Sequence, residues 1–219
     1  MKKFFLGLSL LMMSMASFSQ QKINEGVITY ALEWNVPPQA QAMAANLPTQ
    51  INVYFKGDTS SMKIESQMFS SKSILNVPKE YERLLLDIPM MGKKFSVIFT
   101  PADQEKMSEM MPQMTLKAST ESKNFLGYQA QKYAVSESRT NSSFDVWFTK
   151  DVEIVANPLS RFYEKSYGFP LEFTSFQNGM SVRASVKEIQ SGKVPAGTFV
   201  AGTDYEEISL DQLMQMSGR

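Results

Sequence analysis

The 219-residue chain contains no cysteine and no histidine. Without cysteine there is no disulfide framework, no thiolate nucleophile and no lipobox to carry a lipid anchor, so packing and backbone hydrogen bonds must hold the fold. Without histidine, Ser-His-Asp and Cys-His triads, the H-E-x-x-H metal site and the commonest transition-metal ligand are excluded. No G-x-S-x-G elbow, Walker loop, dinucleotide fingerprint or calcium loop is present either. Ser60-Ser61-Met62-Lys63 matches the S-x-x-K pattern of penicillin-binding enzymes in form only; it falls in an alternating strand and lacks the S-D-N and K-T-G companions. An excess of charge is also missing, since 22 Lys and Arg stand against 22 Asp and Glu. That balance offers no electrostatic footprint for nucleic acid or an anionic membrane. A non-enzymatic protein without a cofactor is the expectation.

Long apolar runs are absent but for one. Lys2 and Lys3 precede an apolar stretch from Phe4 to Met15, and Ser17-Phe18-Ser19 precedes Gln20. A short positive region, an apolar core too short to span a bilayer and small residues at the cut site together read as a secretory signal peptide over residues 1–19. Residues 20–219 are then the expected mature chain, one β domain. Removing residues 1–19, which hold Lys2 and Lys3 and no acid, leaves 20 basic residues against 22 acidic ones. No later run approaches the roughly 20 apolar residues of a membrane helix. The expected product is not membrane-spanning and works in the periplasm or is secreted.

What is plentiful is alternation. Ile28, Tyr30, Leu32 and Trp34 share one face of a strand, as do Ile51, Val53 and Phe55. Met62, Ile64 and Met68, then Leu84, Leu86 and Ile88, then Phe95, Val97 and Phe99, and finally Phe144, Val146 and Phe148 repeat the pattern. One buried and one wet face mark an antiparallel sheet, because parallel strands covered on both sides read as unbroken apolar runs. Asn178-Gly179 between Leu171–Gln177 and Met180–Ile189 predicts a tight hairpin. Lys56-Gly57-Asp58 predicts a turn and Leu126-Gly127-Tyr128 a bulge. Trp147 falls on the wet face, which suits a rim, a second packing layer or a partner contact. Asp145, Glu153 and Glu172 take outward positions that read as solvated.

Three helical patterns interrupt the strands. Pro37–Leu47 places Ala40, Met43, Ala44 and Leu47 on one stripe. Thr100-Pro101-Ala102-Asp103 opens a second helix with a capping box, and Ser209 to Gln212 repeats the pattern near the end. Twelve of the 16 methionines follow residue 19, and Met107, Met110, Met111 and Met114 recur at helical spacing, although Pro112 stops the helix and takes Met114 off its axis. They read as adaptable core, as a pliable wall for hydrophobic ligands, or as thioether ligands to Cu(I).

The stretch Ser122-Lys123-Asn124-Phe125-Leu126-Gly127-Tyr128-Gln129-Ala130-Gln131-Lys132-Tyr133, with Asp145-Val146-Trp147-Phe148-Thr149-Lys150-Asp151, resembles the G-Y-x-x-x-K-Y and V-W-x-T-K-D core of an exported bacterial family whose domain has no assigned function. Val53–Asp58 and Phe169–Glu172 fit its other strands, over most of residues 25–205. Ala130 stands where relatives often carry cysteine. The family's layout is similar to the LolA/LppX-like lipoprotein-carrier superfamily. That resemblance implies a strongly curved antiparallel sheet, an unclosed half-barrel with short helices over its concave face, and an apolar cavity for acyl chains. On this reading the chain is mainly β, of the α+β kind. Met107, Met110, Met111, Met43, Phe95, Phe99, Phe144 and Phe148 would line the cavity, and the partner is a lipid or lipidated protein. The alternative is an envelope interaction module whose core is filled by its own side chains; cavity occupancy separates the two.

Overall fold

The computed structural model describes residues 20–38, 41–66, 69–138, 141–177 and 180–216. The expected signal peptide, Met68 and the Asn178-Gly179 turn lie outside them. The strands are β1 (Gln21–Lys22), β2 (Glu25–Asn35), β3 (Gln50–Lys56), β4 (Thr59–Glu65), β5 (Ser70–Asn76), β6 (Tyr81–Ile88), β7 (Lys93–Ile98), β8 (Met114–Phe125), β9 (Tyr128–Glu137), β10 (Ser142–Thr149), β11 (Val152–Glu153), β12 (Phe169–Gln177), β13 (Met180–Ser191) and β14 (Glu206–Glu207). Twelve of them form one sheet in the order β14-β7-β6-β5-β4-β3-β2-β13-β12-β10-β9-β8. Its neighbours are antiparallel except β14, which runs parallel to β7. The terminal strands β14 and β8 do not pair with each other, so the protein is mainly β and the sheet is an unclosed half-barrel.

Register follows the apolar alternation. Ile28 pairs with Val53 and Val53 with Met62, so the apolar members of β2, β3 and β4 share the inner face, and Tyr30, opposite Val186, lies on it too. Glycine acts where the alternation stops. Gly57, with φ 56°, closes the β3–β4 hairpin. Leu126 (φ 54°) and Gly127 (φ 87°) likewise close the β8–β9 hairpin, where the sequence suggests a bulge. Two successive left-handed residues make a tight hairpin turn matched to strand twist. The bulge in β8 instead falls between Ala118 and Ser122.

Helices are shorter than the stripes imply. Of the first pattern, α1 (Gln41–Ala44) stops before Leu47, and Ala40 lies outside the described residues. The capping boxes hold: Thr100 opens α2 (Pro101–Met110) by exchanging hydrogen bonds with Asp103, and Ser209 exchanges them with Gln212 at the start of α3 (Leu210–Met216). No described side chain of α2 is fully buried. Met111 already has extended backbone at ψ 150°, and Met114 begins β8, so the four-methionine stripe breaks before its last member.

The inner face of the sheet's central strands is occupied by an irregular segment, residues 154–167. The Ser60 hydroxyl donates to the Ala156 carbonyl (2.9 Å), and the Asn157 amide donates to the Tyr30 hydroxyl (3.2 Å). Farther along, the Tyr163 hydroxyl donates to the Thr174 carbonyl (2.6 Å) and the Gln177 amide to the Pro158 carbonyl (3.0 Å). Leu159, within this segment's own turn, is fully buried in the core. Edge-on ring contacts link Tyr30 to Phe173, Phe173 to Tyr163, Tyr163 to Phe148 and Phe148 to Tyr133. Burial of each such ring stabilises by about 1.5–3 kcal/mol, with a further 0.5–1.5 or so from edge-to-face geometry. Burial also raises the Tyr30 and Tyr163 hydroxyl pKa values above their ordinary range. The middle of the half-barrel is therefore packed by the chain itself.

Candidate interaction site

The pairing of β10 with β12 is incomplete. β10 pairs with β9 from Ser142 to Thr149, but with β12 only at Trp147, Phe148 and Thr149, where a bulge marks the end of the ladder. β12 meanwhile continues to Gln177 in register with β13. Beyond Trp147 the two strands splay, and Phe144 and Phe176 face each other across the split with ring centroids 6.5 Å apart. Phe162 of the inner segment continues the row, 6.3 Å from Phe176.

A cleft of about 870 Å³ opens at this split. Its apolar lining is Trp34, Met111, Pro112, Phe144 and Phe176, and Glu33, Glu137 and Arg183 bring charge among several serines, Asn35 and Thr174. The Trp34 ring is fixed by its N–H, which donates to the Pro48 carbonyl at 2.7 Å. Such a lining presents aromatic anchors beside polar partners, which suits a peptide better than a bare hydrocarbon chain.

The residues expected to line an apolar cavity are dispersed. Phe144 and Met111 reach the cleft. Phe148, 2% exposed, belongs to the packed aromatic core, and Phe95, 5% exposed, lies on β7 with half-buried Phe99 just beyond it. Met107 is half-buried on α2. Met43 and Met110 lie on α1 and α2, but their side chains are outside the described residues. Of the cleft aromatics that were not predicted, Trp34 ends the alternating run of β2, whereas Phe176 is out of phase with the buried Leu171 and Phe173 of β12, which is the signal that could have marked it. Nothing local foretells Arg183 or Glu137 as their neighbours, because the split between β10 and β12 creates the contact.

Beside the cleft, on the sheet face that carries Thr174 and Arg183, Trp147 takes the wet position its alternation implies, opposite Lys132 and Glu172. Lys123 places its ammonium 4.2 Å from the Trp147 ring and 3.1 Å from Glu172, and Arg183 bonds the same carboxylate. Glu172 is thus screened rather than freely solvated. Burial alone would raise its pKa, but the hydrogen bonds from Lys123 and Arg183 outweigh it and hold the carboxyl below the ordinary value of 4.5. A depressed carboxylate stabilises fully above its unfolded pKa and loses that contribution as pH falls through the folded one. Glu172→Gln should therefore lower Tm at neutral pH and converge on wild type in acid below pH 4.5, as melting curves across pH will show.

Among the described residues, no group of three or more Asp, Glu, His or Cys side chains could hold a metal ion, and no helix is long and apolar enough to cross a membrane. The chain matches no protein-family model, and no curated protein matches it significantly.

Proposed function

We propose that the chain is a non-catalytic interaction module of the cell envelope that receives an extended segment of a partner protein in the cleft between β10 and β12. One observation carries this reading: the β10–β12 ladder stops at Trp147 while both strands run on, leaving Phe144 and Phe176 beside the open cleft. Strand edges bind extended peptides through main-chain hydrogen bonds, and side-chain sites beside them supply selectivity. Here Trp34, Phe144 and Phe176 offer the apolar anchor sites, while Arg183 and Glu33 flank them with opposite charges. The filled inner face supports the same reading, since residues 154–167 occupy the place an acyl chain would take in a carrier of this layout. Export across the inner membrane, read from residues 1–19, would bring the cleft to envelope partners.

A photo-cross-linking side chain at Ser143, an exposed position on the cleft wall, tests the proposal in cells that export the protein. A discrete protein adduct is expected, and Phe176→Asp should abolish it by placing an unpaired carboxylate among the anchors. Adducts only to lipid, or protein adducts indifferent to Phe176→Asp, would overturn it.

A further inference from the structure

The second irregular segment, residues 192–209, is a strap on the opposite face of the sheet. It leaves β13 where the Glu25 carboxylate accepts the Val194 N–H (2.9 Å), crosses to β5 where Lys72 donates to the Gly197 and Val200 carbonyls (3.1 and 3.0 Å), and ends along the β7 edge. There Lys94 meets Asp204 at 2.7 Å, Lys93 meets Glu206 at 3.4 Å and Arg83 meets Glu207 at 3.8 Å. No side chain from Lys193 to Ser209 is fully buried, and the first buried anchor is Leu210 of α3. Its seat is different: Ile74 and Leu85, each 2% exposed, belong to the sheet face that carries Lys72 and Arg83. The strap is held by charge and backbone carbonyls over an apolar floor.

It also pairs with only part of its edge, where α3 follows it against β7. Of the six residues of β7, only Phe95 and Ser96 pair with β14, and one further bond runs from the Ile208 N–H to the Ser96 carbonyl. We infer that the seat of the strap on β5–β7 is a docking groove for an extended acidic segment of another protein, which the strap fills in cis. The cations Lys72, Arg83, Lys93 and Lys94 fix the charge of that occupant, and the unpaired residues of β7 let a longer acidic strand, displacing the strap and the start of α3, form more of the ladder than the strap does. This groove is separate from the β10–β12 cleft and does not depend on the function assigned there.

The test uses the full chain and a fluorescent peptide copying residues 200–211. In wild type the tethered strap competes at high effective concentration. Glu206→Lys with Glu207→Lys weakens the strap and leaves the groove intact, so this variant should bind the peptide about tenfold or more tighter than wild type. Adding Lys94→Glu should remove that binding, and raising salt from about 0.05 M to about 0.5 M should weaken it. Amide exchange at residues 204–209 should accelerate in the double variant. Equal peptide binding by wild type and double variant, binding insensitive to Lys94→Glu or salt, or no binding despite accelerated exchange would each overturn the inference. Unchanged exchange would overturn it too, because the ion pairs would then not hold the strap.

Discussion

Phe148→Ala should destabilise the protein by about 3–5 kcal/mol, the range for truncating a buried aromatic side chain without collapse of the surrounding core. Phe148 is 2% exposed and touches Tyr133, Tyr163 and Tyr167 within the aromatic network. Those three rings belong to β9 and to the segment 154–167, so their ability to fill the vacancy is limited by two separate backbone elements. Chemical denaturation will measure the loss as a shift in midpoint at unchanged slope. If Phe148 instead lined a ligand cavity, alanine would enlarge that cavity at little cost in stability. A loss under about 1 kcal/mol with increased uptake of a fluorescent fatty acid is the contrary result.

Asn157→Leu should cost about 2–5 kcal/mol through two buried groups left without partners. Its amide donates to Tyr30, and its side-chain oxygen accepts the Leu159 N–H at 3.0 Å. The Ser160 N–H keeps a second acceptor, the Asn157 carbonyl, and so contributes little. Because Tyr30 and Leu159 are fully buried, water cannot replace the lost bonds without entering the core. Tyr30→Phe added to Asn157→Leu removes the stranded hydroxyl, and the double variant should be more stable than Asn157→Leu alone. The thermodynamic cycle isolates this coupling, and strict additivity would show that Asn157 acts through backbone geometry alone.

Much of the fold was legible because its inner strands obey a period of two. Ile28 through Trp34 and Ile51 through Phe55 alternate, and register places their apolar sides together. β5 and β8 lack that signal. β5 is rich in serine, and β8 is an edge strand with polar residues on both sides and a bulge at Ala118–Ser122, so neither shows a clean apolar face. The end of the methionine helix was legible, because Pro112 stops it: the backbone is already extended at Met111 and Met114 begins β8. The site was legible only in part. Phe144 and Met111 were among the residues expected to line a cavity and do reach the cleft, but the splay between β10 and β12 is a relation between distant segments that no local pattern encodes. The two irregular segments, 154–167 and 192–209, were likewise unreadable. Their order comes from single bonds such as Asn157 to Tyr30 and Lys72 to Gly197, made across more than 100 residues.

The central claim is that the chain packs its own interior and makes its contacts at the cleft, so the decisive measurement is the native mass of the protein exported and purified without detergent, paired with organic extraction of the same sample. The predicted result is the mass of the polypeptide alone and an extract free of stoichiometric lipid, for wild type and Phe176→Asp alike. A stoichiometric acyl-chain adduct that survives Phe176→Asp would place a ligand inside the half-barrel and contradict the account.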